Sequence, residues 1–171
     1  MPLRFVCTCC LLVMLGGPVA EASRGVSQLG SLDAGVLVEL NLVRAAHQLA
    51  PLRLNDGLEK AATMHSTEMA TDGYFAHRSS GGASFWKRLA AFYPQGAAQS
   101  WSVGENLLWT SDPLDAQRAV ATWMASPEHR AILLNPAWRE VGISSVGELA
   151  APGTYRGLNV TVLTADFGVR Q

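Results

Sequence analysis

The sequence predicts an α+β domain rather than a doubly wound parallel sheet. Apolar residues recur at helical spacing in successive segments before residue 134, whereas strand-forming segments close the chain. One extended segment, residues 103–109, interrupts the helices and can complete a small sheet. Because the helices come before the closing strands instead of alternating with them, we expect helices packed on a sheet of few strands.

Residues 1–22 have the pattern of a secretory signal peptide. Arg4 supplies a positive charge, residues 5–15 form an apolar run, and Ala20-Glu21-Ala22 fits a small-residue cleavage site. The run is too short for a permanent membrane span, so we expect an exported protein, periplasmic or extracellular, with no stable span after cleavage. An uncleaved signal anchor is the alternative. All the cysteines lie within the run, at Cys7, Cys9 and Cys10, so cleavage would leave a mature domain without disulfides.

The rest of the chain is interpreted as one domain. Residues 23–32 form a short lead and residues 33–171 form the domain, with no internal repeat and no linker. A hydrophobic content of 49% with 16% charged residues argues against disorder. The net charge of −1 gives no electrostatic footprint for nucleic acid or for an anionic membrane.

Capping residues place the helices. Apolar spacing predicts helices over residues 33–48, 55–71, 84–92, 112–124 and 127–134. Asp33 is expected to cap the first helix, and Asn55 or Asp56 the second. Gly73 is expected to end the second helix in a left-handed conformation, and Ser126 to cap the last helix.

Strand-forming residues predict a short extended piece and three strands, over residues 52–54, 103–109, 140–146 and 158–167. Residues 151–153 contain proline and glycine and lie between the last two strands. These two strands are therefore expected to form a hairpin.

Three ionisable residues stand in unusual local sequence: His77 in a loop, Glu105 in an apolar strand and His129 just after Ser126. A helix N-terminus carries partial positive charge, which disfavours an added proton on His129. A neutral imidazole suits a metal ligand or a general base. Two histidines and a carboxylate suffice for a metal site with open positions or for acid–base chemistry. They lie too far apart in the sequence to form a local motif.

Several short motifs together resemble the CAP superfamily, also called SCP/TAPS after cysteine-rich secretory proteins, antigen 5 and pathogenesis-related 1. The motifs are Asn41-x-x-Arg44, Phe75-x-His77, Gly104-Glu105-Asn106-Leu107, Trp123-Met124-x-Ser126-Pro127-x-His129-Arg130, Val141-Gly142-Ile143 and, typical of the bacterial branch, Asp166-Phe167-Gly168. The resemblance implies an α-β-α sandwich with a small antiparallel sheet between helical layers. It also implies a cleft lined by histidines and acidic residues.

The resemblance places His77, Glu105 and His129 in that cleft, together with Ser126. Many eukaryotic members have a second glutamate at the position of Ser126, so the acidic set is incomplete here; Glu128 is near but does not match. His77 and His129 are the expected ligands of a divalent metal such as zinc. Glu105 either takes part in binding or holds the sheet to a helix end, since a buried glutamate must be paired.

Three classes of function follow. The favoured hypothesis is an exported binding module for a divalent metal or a small ligand, and the resemblance adds lipids in a separate apolar groove. The second is a hydrolase acting on peptide or cell-envelope material, with His77, Glu105 and His129 as weak catalytic candidates. A variant of it uses Ser126 as the nucleophile, although a capping serine already engages its oxygen. The third is a structural protein or a module that binds a protein partner.

Other polar and aromatic residues have structural interpretations. His65 lies on the apolar stripe of the second helix and is expected to be a core histidine with satisfied hydrogen bonds. Arg44 is expected to form an ion pair or to bind loop carbonyls, and His47 to be exposed. The tryptophans are expected to build the core and the cleft walls: Trp86, Trp101, Trp109, Trp123 and Trp138.

Overall fold

The computed structural model describes residues 30–171, so the expected signal peptide, the cysteines and most of the lead lie outside the described residues. The helices of this part are α1 (Ser31–Ala46), α2 (Asp56–Asp72), α3 (Phe85–Phe92), α4 (Ala116–Ala125) and α5 (Pro127–Leu133). The strands are β1 (Arg53–Leu54), β2 (Trp101–Thr110), β3 (Glu140–Ala151) and β4 (Leu158–Arg170), with a 3-10 turn at Gly153–Tyr155. None of these helices is long and apolar enough to cross a membrane.

The strands form one sheet in the order β1-β3-β4-β2. The three long strands are antiparallel, as expected from the hairpin. The short β1 adds a parallel pair, with Arg53 opposite Glu140 and Leu54 opposite Val141, so the whole sheet is mixed. A parallel pair is possible here because the long helical segment between β1 and β3 serves as the crossover that parallel strands require.

Helices cover both faces of the sheet, which confirms the α-β-α arrangement. Leu163 and Phe167 of β4 pack in a core with α1 and α4. The alternating residues face the other way: Val162 packs against α2, and Thr164 accepts a hydrogen bond from Ser66 of α2. By the same alternation, Asp166 lies on the α2 side. The layers of the sandwich therefore place an ionisable side chain beneath α2.

Gly142 sets the distance between α2 and the sheet. It lies on β3 directly beneath the start of α2, and a β-carbon there would overlap the backbone of Leu58 and Glu59. The absence of a side chain lets helix and strand approach to backbone contact.

The helix caps match the sequence only in part. Asn55 accepts hydrogen bonds from the second and third backbone N–H groups after it, and Gly73 has a left-handed φ of 74°, as predicted. The Asp33 prediction is wrong: α1 begins at Ser31, so Asp33 lies buried in its first turn. The predicted start of the fourth helix at residue 112 is also wrong, because Asp115 is the residue whose carboxylate accepts the free N–H of the first turn.

The hairpin strands run further than the sequence predicted. β3 and β4 stay paired beyond residue 146, to Glu148 opposite Val160, before an irregularity near the turn. Hydrogen bonding to a neighbouring strand can extend a strand through residues with weak strand preference. The ends of β3 and β4 are therefore set by how far the two strands stay paired, and not by the propensity of each residue.

The tryptophan prediction fails at one position. Trp123 and Trp138 are buried, but Trp86 is 48% exposed. Trp86 lies on the outer side of α3, where the ammonium group of Lys87 is 5.6 Å from its ring centre.

Candidate functional site

His77 is presented by the loop between α2 and α3 and is bound by a buried carboxylate. Its side chain is 55% exposed, whereas that of Glu105 on β2 is 1% exposed. The His77 Nδ1 atom lies 2.8 Å from Glu105 Oε1. Arg88 of α3 donates a hydrogen bond to the other Glu105 oxygen, also in a buried position. Glu105 is therefore enclosed between an arginine and the imidazole that it orients.

This arrangement determines which nitrogen of His77 faces solvent. A carboxylate paired with arginine is an acceptor, so His77 Nδ1 must carry the hydrogen of the contact. In the neutral ring, the proton-free Nε2 lone pair then points away from Glu105, on the exposed part of the side chain. A carboxylate behind a histidine is the usual support of a metal-binding imidazole.

The backbone of His129 is held by Asn106 of β2, whose side chain lies on the opposite face of the sheet from that of Glu105. Ser126 caps α5 by accepting the N–H of His129 at 3.5 Å, and Asn106 Nδ2 donates to the His129 carbonyl at 3.0 Å. Glu105 and Asn106 are consecutive residues of β2, so their side chains point to opposite faces of the sheet. One holds the His77 ring and the other holds the helix start that carries His129.

The electrostatics favour a neutral His129. Burial lowers its pKa from the ordinary value, repulsion from a charged His77 lowers it further, and Glu128 opposes both effects. The uncharged form of the His129 ring is therefore more favoured than in a free histidine.

Among residues 30–171, Ser126 has no contact that would activate it as a nucleophile. Its hydroxyl oxygen accepts the backbone N–H of His129 and donates to the exposed Glu128 carboxylate at 3.1 Å. Both contacts belong to the helix cap, and neither involves an imidazole nitrogen.

Glu68 of α2 holds the loop that carries His77 through hydrogen bonds to Tyr74 on one side of His77 and to Ser80 on the other. Its carboxylate accepts hydrogen bonds from the Tyr74 hydroxyl at 2.6 Å, and from the Ser80 backbone and hydroxyl at 3.0 and 2.6 Å. Burial alone would raise the pKa of Glu68, but the hydrogen bonds from Ser80 and Tyr74 outweigh it and lower the pKa to about 2. Glu68 is thus a permanent anion in this loop anchor.

Asp166 adds a second carboxyl group beneath the site. It lies opposite Glu105 in the register of β2 and β4, and it is fully buried. Neither of its side-chain oxygens has a hydrogen bond of ordinary geometry among the described residues. Burial first, and then repulsion from Glu105, raise the pKa of Asp166 well above its usual value, with Arg88 opposing. Asp166 therefore keeps its proton to a higher pH than an ordinary aspartic acid.

Sequence reasoning missed the roles of Glu68, Arg88 and Asp166. Asp166 belongs to a family motif, and its place in a strand that pairs with the Glu105 strand is a usable signal. Arg88 lies beside the apolar residues of a short helix, and nothing local marks it as the partner of Glu105. The structural interpretations of His65 and Arg44 are confirmed: both are buried, and Arg44 donates to two loop carbonyls, of Ala50 and Asn135, and to the carbonyl of Leu133 at the end of α5.

The described residues offer few ligands for a metal. Within residues 30–171, no group of three or more His, Cys, Asp or Glu side chains is arranged around a common point. A cavity of about 420 Å³ exists, but it lies between the β2–α4 loop and the β3–β4 hairpin and shares no lining residue with the histidine site. We place the candidate site at His77 and His129, because no histidine lines the cavity.

The comparisons with known proteins agree with this fold. The model of the cysteine-rich secretory protein family, CAP, matches residues 37–156, so the chain belongs to that family. It is 31% identical over 103 residues to the uncharacterized membrane protein YlbC of Bacillus subtilis, covering 60% of this chain but 28% of that relative's length.

Solved structures support a bacterial-type CAP domain. An outer surface protein of Borrelia burgdorferi superposes with a TM-score of 0.59 at 21% identity, covering 80% of this chain and 90% of that one. An extracellular protein containing an SCP domain from Bacillus anthracis gives a TM-score of 0.57 at 26% identity, covering 77% of this chain and 38% of that one.

Proposed function

We propose that this CAP domain is an exported binding module that holds a divalent metal such as zinc through His77 and His129. The hydrogen bond between His77 Nδ1 and the buried Glu105 carries the proposal. It directs the Nε2 lone pair outward from a ring that cannot rotate without losing a charge-assisted bond.

The donor chemistry fits a weakly held metal. Imidazole nitrogen is a preferred ligand of zinc, and lowering of the His129 pKa keeps that ring available near pH 7. Glu105 already binds His77 and Arg88, so it supports the site instead of contributing a ligand. A bound zinc ion would supply a Lewis-acid centre for an anionic or carbonyl group of a further ligand.

Export rests on separate support. Residues 1–22 have the composition of a signal peptide, and the related SCP domain of Bacillus anthracis belongs to an extracellular protein. Processing can be measured directly by determining the N-terminus of the protein recovered from the periplasm or medium. Export predicts a new N-terminus at Ser23, and an intact Met1 would contradict cleavage.

The metal proposal is tested by calorimetric titration of zinc into the domain at about pH 7. We expect one site, and a loss of affinity of about tenfold or more in His77→Ala and in His129→Ala. His47→Ala is the matched control, since His47 is exposed near the end of α1 and belongs to no part of the site. Circular dichroism establishes that each variant is folded. Absence of zinc binding in the unmodified domain, or equal losses in His47→Ala, would contradict the proposal.

A further inference from the structure

The middle of the His77 loop is held by a second histidine. His65 Nε2 on α2 lies 2.9 Å from the carbonyl oxygen of Ala76, the residue immediately before His77. His65 is fully buried, whereas Ala76 and His77 are exposed. The peptide before His77 is therefore positioned by a hydrogen bond from the protein interior and not by burial of its own side chain.

The chemistry of this contact is determined by the carbonyl. A carbonyl oxygen only accepts, so His65 Nε2 carries the hydrogen. The remaining nitrogen, Nδ1, lies 3.5 Å from both the Tyr74 hydroxyl and a Glu68 oxygen. Burial lowers the pKa of His65, and this outweighs the opposing attraction of Glu105. The neutral ring with hydrogen on Nε2 is the form that the contact requires.

Other residues hold the two ends of the loop. The carbonyl of Tyr74 accepts from the Tyr155 hydroxyl at 2.8 Å, and Glu68 binds Tyr74 and Ser80. The middle is held by His65 on the Ala76 carbonyl, by Arg88 on the His77 carbonyl and the Ser79 hydroxyl, and by Glu105 on the His77 ring. Losing the His65 contact should loosen the middle of the loop while its ends stay in place.

We propose that His65 is a positioning residue of the His77 site: its hydrogen bond to the Ala76 carbonyl fixes the peptide that aims the His77 ring at Glu105. The effect on metal affinity rests on the proposed function of His77, whereas the effect on the orientation of His77 does not. His65 contacts neither proposed metal ligand directly. Its Nε2 atom also lies 4.0 Å from Glu105 Oε2, beyond hydrogen-bond distance, so the hydrogen bond to the loop is its shorter connection to the His77 site.

Two nearly isosteric substitutions isolate the hydrogen bond. In His65→Gln, the side-chain amide nitrogen can occupy the place of Nε2 and donate to Ala76. His65→Met has the same length and fills the same space but has no donor. Zinc affinity is measured by calorimetry at about pH 7, and the tautomer of His77 is read without metal from the ¹⁵N chemical shifts of its ring.

The glutamine variant should keep zinc affinity within about threefold and keep the His77 ring protonated at Nδ1. The methionine variant should lose about tenfold in affinity, with ring shifts that indicate mixed tautomers. Equal effects of the two variants, or a methionine variant with unchanged ring shifts, would overturn the proposal. A methionine variant that unfolds while the glutamine variant folds would assign the bond to global stability and would also overturn it.

Two further measurements distinguish failure of the metal proposal from failure of the His65 proposal. If the unmodified domain binds no zinc, the metal proposal fails, and the ring shifts of His77 alone decide the role of His65. If neither variant folds, the His65 ring proton of the unmodified protein decides: a slowly exchanging proton on Nε2 supports the proposal, and a proton located on Nδ1 refutes it.

Discussion

Replacing Arg88 by methionine should destabilise the domain strongly, because it leaves a buried carboxylate without its counter-charge. The side chains of Arg88 and Glu105 are each 1% exposed, so solvent cannot replace the lost partner. Breaking a buried ion pair by removing one member costs about 3–5 kcal/mol. Methionine fills most of the volume of the arginine stem, so that a cavity adds little. For a domain of this size the loss corresponds to a fall in Tm of about 6–20 °C.

The assay is urea unfolding at pH 7, followed by fluorescence of the buried tryptophans. The double variant Arg88→Met/Glu105→Gln should be more stable than Arg88→Met alone, because no buried charge then remains. Arg118→Met is the control: its ion pair with Asp112 is 3.1 Å long, but both side chains are at least half exposed, so the cost should stay below about 1 kcal/mol. A loss below about 1 kcal/mol in Arg88→Met, or a double variant less stable than Arg88→Met, would refute this reasoning.

Further predictions concern acid stability and packing. Because the pKa of His65 is lowered, its contribution to the stability of the domain is complete above pH 6.5, the ordinary pKa of histidine, and is lost as the pH falls below it. In urea unfolding, His65→Gln should therefore gain stability relative to the unmodified protein by up to about 1.4 kcal/mol per pH unit below 6.5. The same dependence of stability on pH in both proteins would contradict burial of a neutral ring. The pKa of Asp166 is raised, so the stability of the domain should fall as the pH rises above 3.8. In thermal melts from pH 4 to 8, Asp166→Asn should therefore gain stability relative to the unmodified protein with rising pH, and a constant difference would contradict the raised pKa. Gly142→Ala should lower the free energy of unfolding in urea by about 3 kcal/mol, because its β-carbon would overlap the α2 backbone. A β-carbon at Gly147 would have only one atom within 4.0 Å, so Gly147→Ala should lower it by less than about 1 kcal/mol. Similar losses at both positions would contradict the close approach of helix and strand.

Features that depend on neighbouring residues were predictable from the sequence. The cap at Asn55, the left-handed stop at Gly73 and the Ser126 cap depend on side-chain and backbone geometry within a few residues. The order of helices and strands followed from their apolar periods, which identified the α+β class. The two histidines of the candidate site were selected from the sequence alone, because His77 and His129 lie in motifs with family-typical spacing.

Features that depend on distant partners were decided by the tertiary structure. The sequence could not show which groups a buried Glu105 would pair with. The packing of α3 against β2 brings Arg88 to one of its carboxylate oxygens, and the His77 ring lies against the other. The strand register placed Asp166 opposite Glu105, and burial together with that carboxylate raises the pKa of Asp166. Charge partners and burial arise from contacts between segments far apart in the chain. Local composition can show that a residue is ionisable, but only the packed fold determines which charge it faces and whether water reaches it.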